Sequence, residues 1–143
     1  MRVRSRENLL ETIAQLDRAL EALDITVREA KVKGEDFART PPTAFDLRGI
    51  GSLVHDFYTA IEDVFELIAG DINGSLPETL RWHKQLLNRM TLEVPEVRPP
   101  VISKDLARTL DEYLRFRHVF RNVYGTLSRR SRAAPALVFA RWP

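Results

Sequence analysis

Apolar residues recur every three or four positions along most of the chain, which is the spacing of one face of an α-helix. The first such stripe comprises Leu9, Ile13, Leu16, Leu20, Leu23, Val27 and Ala30. The second, which follows the turn signal Pro41-Pro42, comprises Leu47, Ile50, Val54, Phe57, Ile61, Val64 and Ile68. We therefore predict a first helix that stops at Gly34 and a second that ends between Gly70 and Gly74.

Two shorter signals predict a third and a fourth helix. Ser75 and Glu78 have capping-box spacing, with Pro77 in the first turn, and the apolar positions that follow are Leu80, Leu86, Leu87 and Met90. The segment LEVPEVRPP (92–100) contains three prolines and is predicted to be non-helical. Ser103 is a suitable N-cap for a last helix that runs to about Gly125.

This order of elements predicts an all-α fold. No strand-like alternation and no internal repeat is present, so we expect an antiparallel up-down bundle of four main helices. A chain of 143 residues accommodates one such domain. We place the bundle in residues 1–127 and a basic C-terminal tail in residues 128–143, which hold four arginines and no acidic residue.

The composition indicates where in the cell the protein is located. No apolar run approaches the roughly 18 residues of a membrane span, and the N-terminus lacks the apolar region of a signal peptide. The chain has no cysteine, which excludes disulfides and thiolate zinc sites. We therefore expect a cytoplasmic protein that does not associate with membranes.

The fourth predicted helix has an arginine in its apolar stripe. That stripe comprises Leu106, Leu110, Tyr113, Arg117, Phe120 and Tyr124. A buried guanidinium is costly unless it is paired or faces a wet cleft. One explanation is an ion pair with Glu62, Asp63 or Glu66. The other is a cleft, formed between subunits, in which several cations bind an anion such as phosphate.

We favour the cleft because further cations, Arg115, His118 and Arg121, lie within seven residues and no matching group of acids is near in sequence. An Arg117 held by an acid of its own chain, far from any partner subunit, would argue against this hypothesis and against a nuclease built on it.

The stretch YLRFRHVFRNVYG (113–125) resembles the signature of the HEPN superfamily, and of HepT-like toxins in particular. HDFYTAIEDVFELIAGDING (55–74) and WHKQLL (82–87) are similar to segments of the same proteins, so the resemblance covers about residues 5–127. The family motif is an arginine, a polar residue, three variable residues, a histidine, one variable residue and a tyrosine. Arg117, His118 and Tyr124 take the first, second and last of these places.

The resemblance implies the toxin of a type VII-like toxin–antitoxin pair, a homodimeric endoribonuclease that cleaves RNA, with tRNA as a candidate, without a metal or other cofactor. Arg117 would bind phosphate and stabilise the transition state, and Arg115 and Arg121 would add RNA affinity. The antitoxin partner would be a nucleotidyltransferase of the MntA type. It would attach AMP to Tyr124 and bring negative charge into the RNA cleft.

Two features depart from the family pattern. Asn122 occupies the histidine place, and an amide cannot exchange a proton near neutral pH, although it can hydrogen-bond a ribose or phosphate. Either His118 performs the acid–base chemistry, or the protein is a weak or inactive HEPN dimer that binds RNA or the nucleotidyltransferase. The basic tail SRRSRAAPALVFARWP (128–143) also differs from the acidic turn and helix of relatives. It fits a lineage-specific tail, a nucleic-acid-contacting arm or an altered reading frame.

The two remaining histidines lie on other helices. We interpret His83 as a structural imidazole or, as the less favoured alternative, a second base that reaches the cleft, and His55 as structural. The three histidines lack the spacing of a zinc or di-iron site, so no metal is expected.

Overall fold

Four α-helices make up most of the part of the chain that the structure describes. A computed structural model describes residues 5–77 and 81–124, and of residues 121–124 the backbone alone. The helices are α1 (Arg6–Arg39), α2 (Ala44–Leu67), α3 (Trp82–Met90) and α4 (Lys104–Tyr124), and a π-helical turn (Ile68–Ile72) continues α2. Across the described ranges the only β-type pairing is an isolated bridge between Val94 and Arg98. The predicted all-α class is confirmed.

The start of each long helix is fixed by a side chain that caps its free N–H groups. Ser5 accepts from the Asn8 N–H at α1, and Ser103 accepts from the Leu106 N–H at α4, as its N-cap prediction requires. At α2, Thr43 and Asp46 form a reciprocal capping box directly after Pro41-Pro42.

The other predicted helix boundaries agree less well with the structure. The predicted stop at Gly34 is wrong, because α1 continues to Arg39. One glycine costs a helix only about 1 kcal/mol, so the helix ends where the two prolines forbid its continuation. The π-helical turn ends at Ile72, within the predicted range for the second helix. The predicted start of the third helix, with Ser75 as N-cap and Pro77 in the first turn, is wrong, because residues 75–77 are not helical and α3 begins at Trp82. Glu78, the other predicted member of the capping box, lies outside the described residues.

The segment 92–100 is non-helical, as its prolines predict, and Arg98 holds it in place. The mostly buried Arg98 guanidinium donates to Asn73 Oδ1 and to backbone carbonyls. These carbonyls belong to Arg89, Leu92 and Pro99. The segment is thereby fastened to the end of α3 and to the loop after the π-helical turn.

The central helix is α2, which packs against α1, α3 and α4. The largest fully buried side chains are Tyr58, Leu86, Leu87, Met90 and Val54, which come from α2 and α3. From α4, Ala107, Leu110, Tyr113 and Phe116 complete this core. The three helices that form the core also carry the residues of the site described below.

Helix α1 is peripheral. Only Thr12 and Ala30 are buried on it, whereas Leu9, Ile13 and Leu20 of its predicted apolar stripe are exposed. The Thr12 hydroxyl donates to Asp71 and so joins α1 to the π-helical turn. Within the described part of the chain, no helix has the length and apolar character needed to span a membrane.

Candidate active site

Arg117 of α4 is buried and paired with an acid of its own chain. Its side chain is 8% exposed, and Nη1 donates to Glu62 Oε1 at 3.0 Å while Nη2 reaches Glu62 Oε2 at 3.4 Å. This is the ion-pair alternative of the two explanations for an arginine in the apolar stripe. Within one chain, therefore, Arg117 is not the open anion-binding cation that the favoured cleft hypothesis assumed.

The residues of α2 that surround the Arg117 guanidinium are largely buried. The Arg117 Cζ atom lies 4.9 Å from the centre of the Tyr58 ring, in cation–π geometry. Nη1 also lies 3.5 Å from the Thr59 hydroxyl, the outer limit of a hydrogen bond. Burial, with Glu62 nearby, raises the pKa of the Tyr58 hydroxyl. Tyr58 therefore contributes a neutral ring to this wall of the site.

His83, in the first turn of α3, completes a three-residue cluster. Its Nδ1 lies 2.6 Å from Glu62 Oε2 and 3.1 Å from Arg117 Nη2. The centre of its ring lies 3.7 Å from that of Trp82, with the two planes tilted by 31°, and the His83 side chain is 32% exposed. The Arg117–Glu62–His83 cluster is thus closed to solvent at the guanidinium and open at the imidazole.

The other charged groups that α2 brings to this cluster are acids. Burial, followed by repulsion from Glu62, raises the pKa values of both Asp63 and Glu66. The raised pKa of Glu66 also reflects Asp63, and His83 acts in the opposite direction. A polyanion would therefore need cations from elsewhere on the protein, since this side of the cluster is negative.

Glu66→Gln is expected to increase stability at neutral pH. A carboxyl whose pKa is raised by folding binds its proton more tightly in the folded state, so it opposes folding once the pH exceeds that pKa. The urea midpoint of Glu66→Gln should exceed that of the wild type at pH 7, and the difference should shrink toward pH 4. The variant Glu29→Gln, at an exposed position of α1, controls for the loss of one charge. A constant difference at both pH values would contradict the expectation.

Of the other predicted site residues, two have described side chains. His118 is exposed, and no hydrogen bond or ion pair holds it within the described residues. Arg115 is exposed and pairs with Asp111 at 2.7 Å, one helical turn away. A surface pair of this kind is weak and leaves Arg115 able to exchange partners.

Arg121, Asn122 and Tyr124 lie in α4, but their side chains are outside the described residues, as is the predicted tail 128–143. The helix continues to Tyr124, so Arg117 and Asn122 are about 140° apart around its axis. One copy of α4 therefore does not bring these two positions together. The roles assigned to all these residues stay predictions.

Sequence reasoning missed the connection between Glu62 and His83. The signal for Glu62 was present, because it stands one turn after Tyr58 and between the apolar positions Ile61 and Val64 on α2. An acid in such surroundings needs a partner. No comparable signal marks His83. Among the described residues, no three His, Cys, Asp or Glu side chains are arranged to hold a metal ion.

Three helices packed on a central α2, with the motif arginine on α4, define an all-α fold of the HEPN-like class. A family model described as HepT-like protein matches residues 49–142. This match covers well over half of the chain, which therefore belongs to the HepT-like family of the HEPN superfamily. The match begins within α2 and runs into the segment predicted as a tail. No curated protein and no solved structure matches the chain.

Proposed function

We propose that this HepT-like protein is a toxin that cleaves RNA without a metal ion. In the proposed reaction a ribose 2′-oxygen attacks the adjacent phosphorus, and the chain breaks to leave a cyclic phosphate. The observation that carries the proposal is the match to the HepT-like family over residues 49–142, because the intrachain pair of Arg117 with Glu62 argues against the phosphate-binding role first expected for Arg117. The Arg117–Glu62–His83 cluster supports a different role, since it places the family's motif arginine beside a partly exposed imidazole. Buried ion pairs are a poor means of stabilising a fold, and perturbed carboxyls such as Glu66 gather at functional sites.

Family membership supports the other parts of the proposal. RNA is the substrate class, with tRNA as the first candidate, and two copies of the chain form the functional unit. In that dimer, Asn122 and Tyr124 of both copies of α4 line a shared cleft, with Arg115 and Arg121 as RNA contacts. A minimal nucleotidyltransferase neutralises the toxin by attaching AMP to Tyr124, which places negative charge where the RNA backbone binds.

A second candidate function is a catalytically inactive HEPN dimer that binds RNA or the nucleotidyltransferase. Two observations favour it. Glu62 already engages both terminal nitrogens of Arg117, and Asn122 stands at the place of the motif histidine. A neutral amide cannot take the proton of a 2′-hydroxyl.

Incubation of the purified protein with total tRNA in excess EDTA distinguishes the two functions. We expect cleavage products that end in cyclic phosphate, and at least a tenfold slower reaction for Arg117→Lys, because lysine keeps the charge opposite Glu62 but loses the two-pronged contact. Circular dichroism checks that the variant is folded. RNA that stays intact at every protein concentration would reject the nuclease, and binding of that intact RNA would support the inactive module.

A further inference from the structure

The proposed reaction needs a proton acceptor, and this inference rests on that proposed function. Asn122 cannot serve, so the acceptor must be another residue. His118 is the nearer candidate in sequence, but its exposed ring has no partner that would fix its orientation within the described residues. His83 is held at 2.6 Å by a buried carboxylate and remains 32% exposed.

The contacts of His83 determine which ring nitrogen carries the proton. At 2.6 Å from Glu62 Oε2, an unprotonated Nδ1 would set its lone pair against a carboxylate oxygen. Nδ1 therefore carries a hydrogen and donates it to Glu62. Arg117 Nη2, 3.1 Å away, lies beside this N–H without donating to it, since both groups are donors. In the neutral ring the lone pair is then on Nε2.

We propose that His83 is the catalytic residue that accepts the 2′-hydroxyl proton. Its Nε2 takes that proton as the 2′-oxygen forms a bond to phosphorus and the bond from phosphorus to the 5′-oxygen breaks. The departing 5′-oxygen takes a proton from water. The hydroxide so formed is neutralised by the proton that the imidazolium releases, so the enzyme returns to its starting state. A carboxylate that fixes the tautomer and orientation of a histidine supports this kind of proton transfer.

Arg117 then acts as a positioning residue. Both of its terminal nitrogens are directed at Glu62, and its side chain is too buried to bind a phosphate in this arrangement. It compensates the charge of the carboxylate that orients His83. In this assignment the motif arginine acts on the reaction through Glu62 and does not contact the RNA.

Charged groups from three helices and from the residue before α3 lie at or near the Arg117–Glu62–His83 cluster. They are Glu62, Asp63 and Glu66 from α2, Asp111 and Arg117 from α4, Lys84 from α3, and Arg81, which immediately precedes α3. The Lys84 side chain is 56% exposed, with its Nζ 3.9 Å from Asp111, and Arg81 is exposed. These two cations flank His83 in sequence and are available to hold the phosphates next to the bond that is cleaved.

His83→Asn is the sharpest test, because the asparagine amide still offers a donor to Glu62 where Nδ1 stood but has no group to accept a proton. We expect RNA cleavage to slow by a factor of about 10²–10⁴. His118→Asn is the matched control and should stay within a few-fold of the wild type. The histidine-dependent limb of the pH–rate profile, measured between about pH 5 and 9, should be present in the wild type and lost in His83→Asn.

A rescue experiment separates proton transfer from a structural role. In His83→Ala, added imidazole should restore part of the activity, and in His118→Ala it should have no effect. Urea denaturation of each variant reports whether it is folded, and rescue remains informative if His83→Asn is destabilised. Full activity of His83→Asn, or loss in His118→Asn alone, would overturn the assignment and leave the nuclease intact. A wild type that cleaves no RNA would overturn both.

Discussion

Arg117→Ala is expected to lower the free energy of unfolding by about 3–5 kcal/mol, since it strands one half of a buried ion pair. The Glu62 side chain that remains is 7% exposed and, among the described residues, would keep only its hydrogen bond with His83. A buried carboxylate without a counter-charge has lost its hydration and gains no interaction that compensates for the loss. Urea denaturation followed by circular dichroism measures the change.

The double variant Arg117→Met with Glu62→Leu is the control for this prediction. It replaces the pair with apolar side chains of similar size, so its stability should equal or exceed that of the wild type. Arg115→Ala removes an exposed arginine paired with Asp111 and should change stability by less than about 1 kcal/mol. An Arg117→Ala protein as stable as Arg115→Ala would show that the pair with Glu62 does not form. The predicted instability is also why Arg117→Lys, and not Arg117→Ala, is the better control in the RNA assay.

Gly51→Ala is expected to destabilise the protein by about 1–3 kcal/mol through overpacking between α2 and α4. A Cβ atom at Gly51 would overlap Phe120 Cε2 and would lie 2.6 Å from Cδ2 and 2.7 Å from Cζ of the same ring. The Phe120 ring is stacked on Phe116 at 5.9 Å, so it cannot move without disturbing its neighbour. The helices must separate or the ring must leave its rotamer.

Gly49→Ala, two residues earlier on α2, should have the opposite effect. Nothing lies within 4 Å of a Cβ atom there, and the position is exposed. Alanine should then stabilise the helix by about 0.5–1 kcal/mol, because it loses less backbone entropy than glycine. Thermal unfolding of the two variants should give shifts of opposite sign. A lower melting temperature for both would show that α2 does not tolerate side chains on its exposed face.

The helices were predictable because local signals determine them. The apolar period located α1, α2 and α4, and Pro41-Pro42 and Ser103 marked boundaries that the structure retains. The predicted stop at Gly34 was wrong because a single glycine disfavours a helix only weakly. Packing can offset the helix penalty of about 1 kcal/mol that a glycine carries. It cannot replace the N–H that proline lacks or remove the clash of the proline ring with the preceding helical turn.

The site was predictable only in part. The position of Arg117 in an apolar stripe identified it as costly, and Glu62 was one of three acids considered as its partner. Helical periodicity could not choose among Glu62, Asp63 and Glu66, because that choice depends on how α2 and α4 are rotated against each other. The absence of acids near Arg117 in sequence was no guide, since Glu62 lies 55 positions away. His83 could not be placed without the orientation of α3.

The Arg117–Glu62–His83 cluster draws one residue from each of three helices, and this fixes when it can form. During synthesis α2 and α3 leave the ribosome before α4, so the acid and the imidazole exist for a time without their guanidinium. Contacts between residues so far apart in sequence close late in folding. A nascent chain would therefore hold no complete cluster until its last helix docks, which delays any activity of the site until the bundle is assembled.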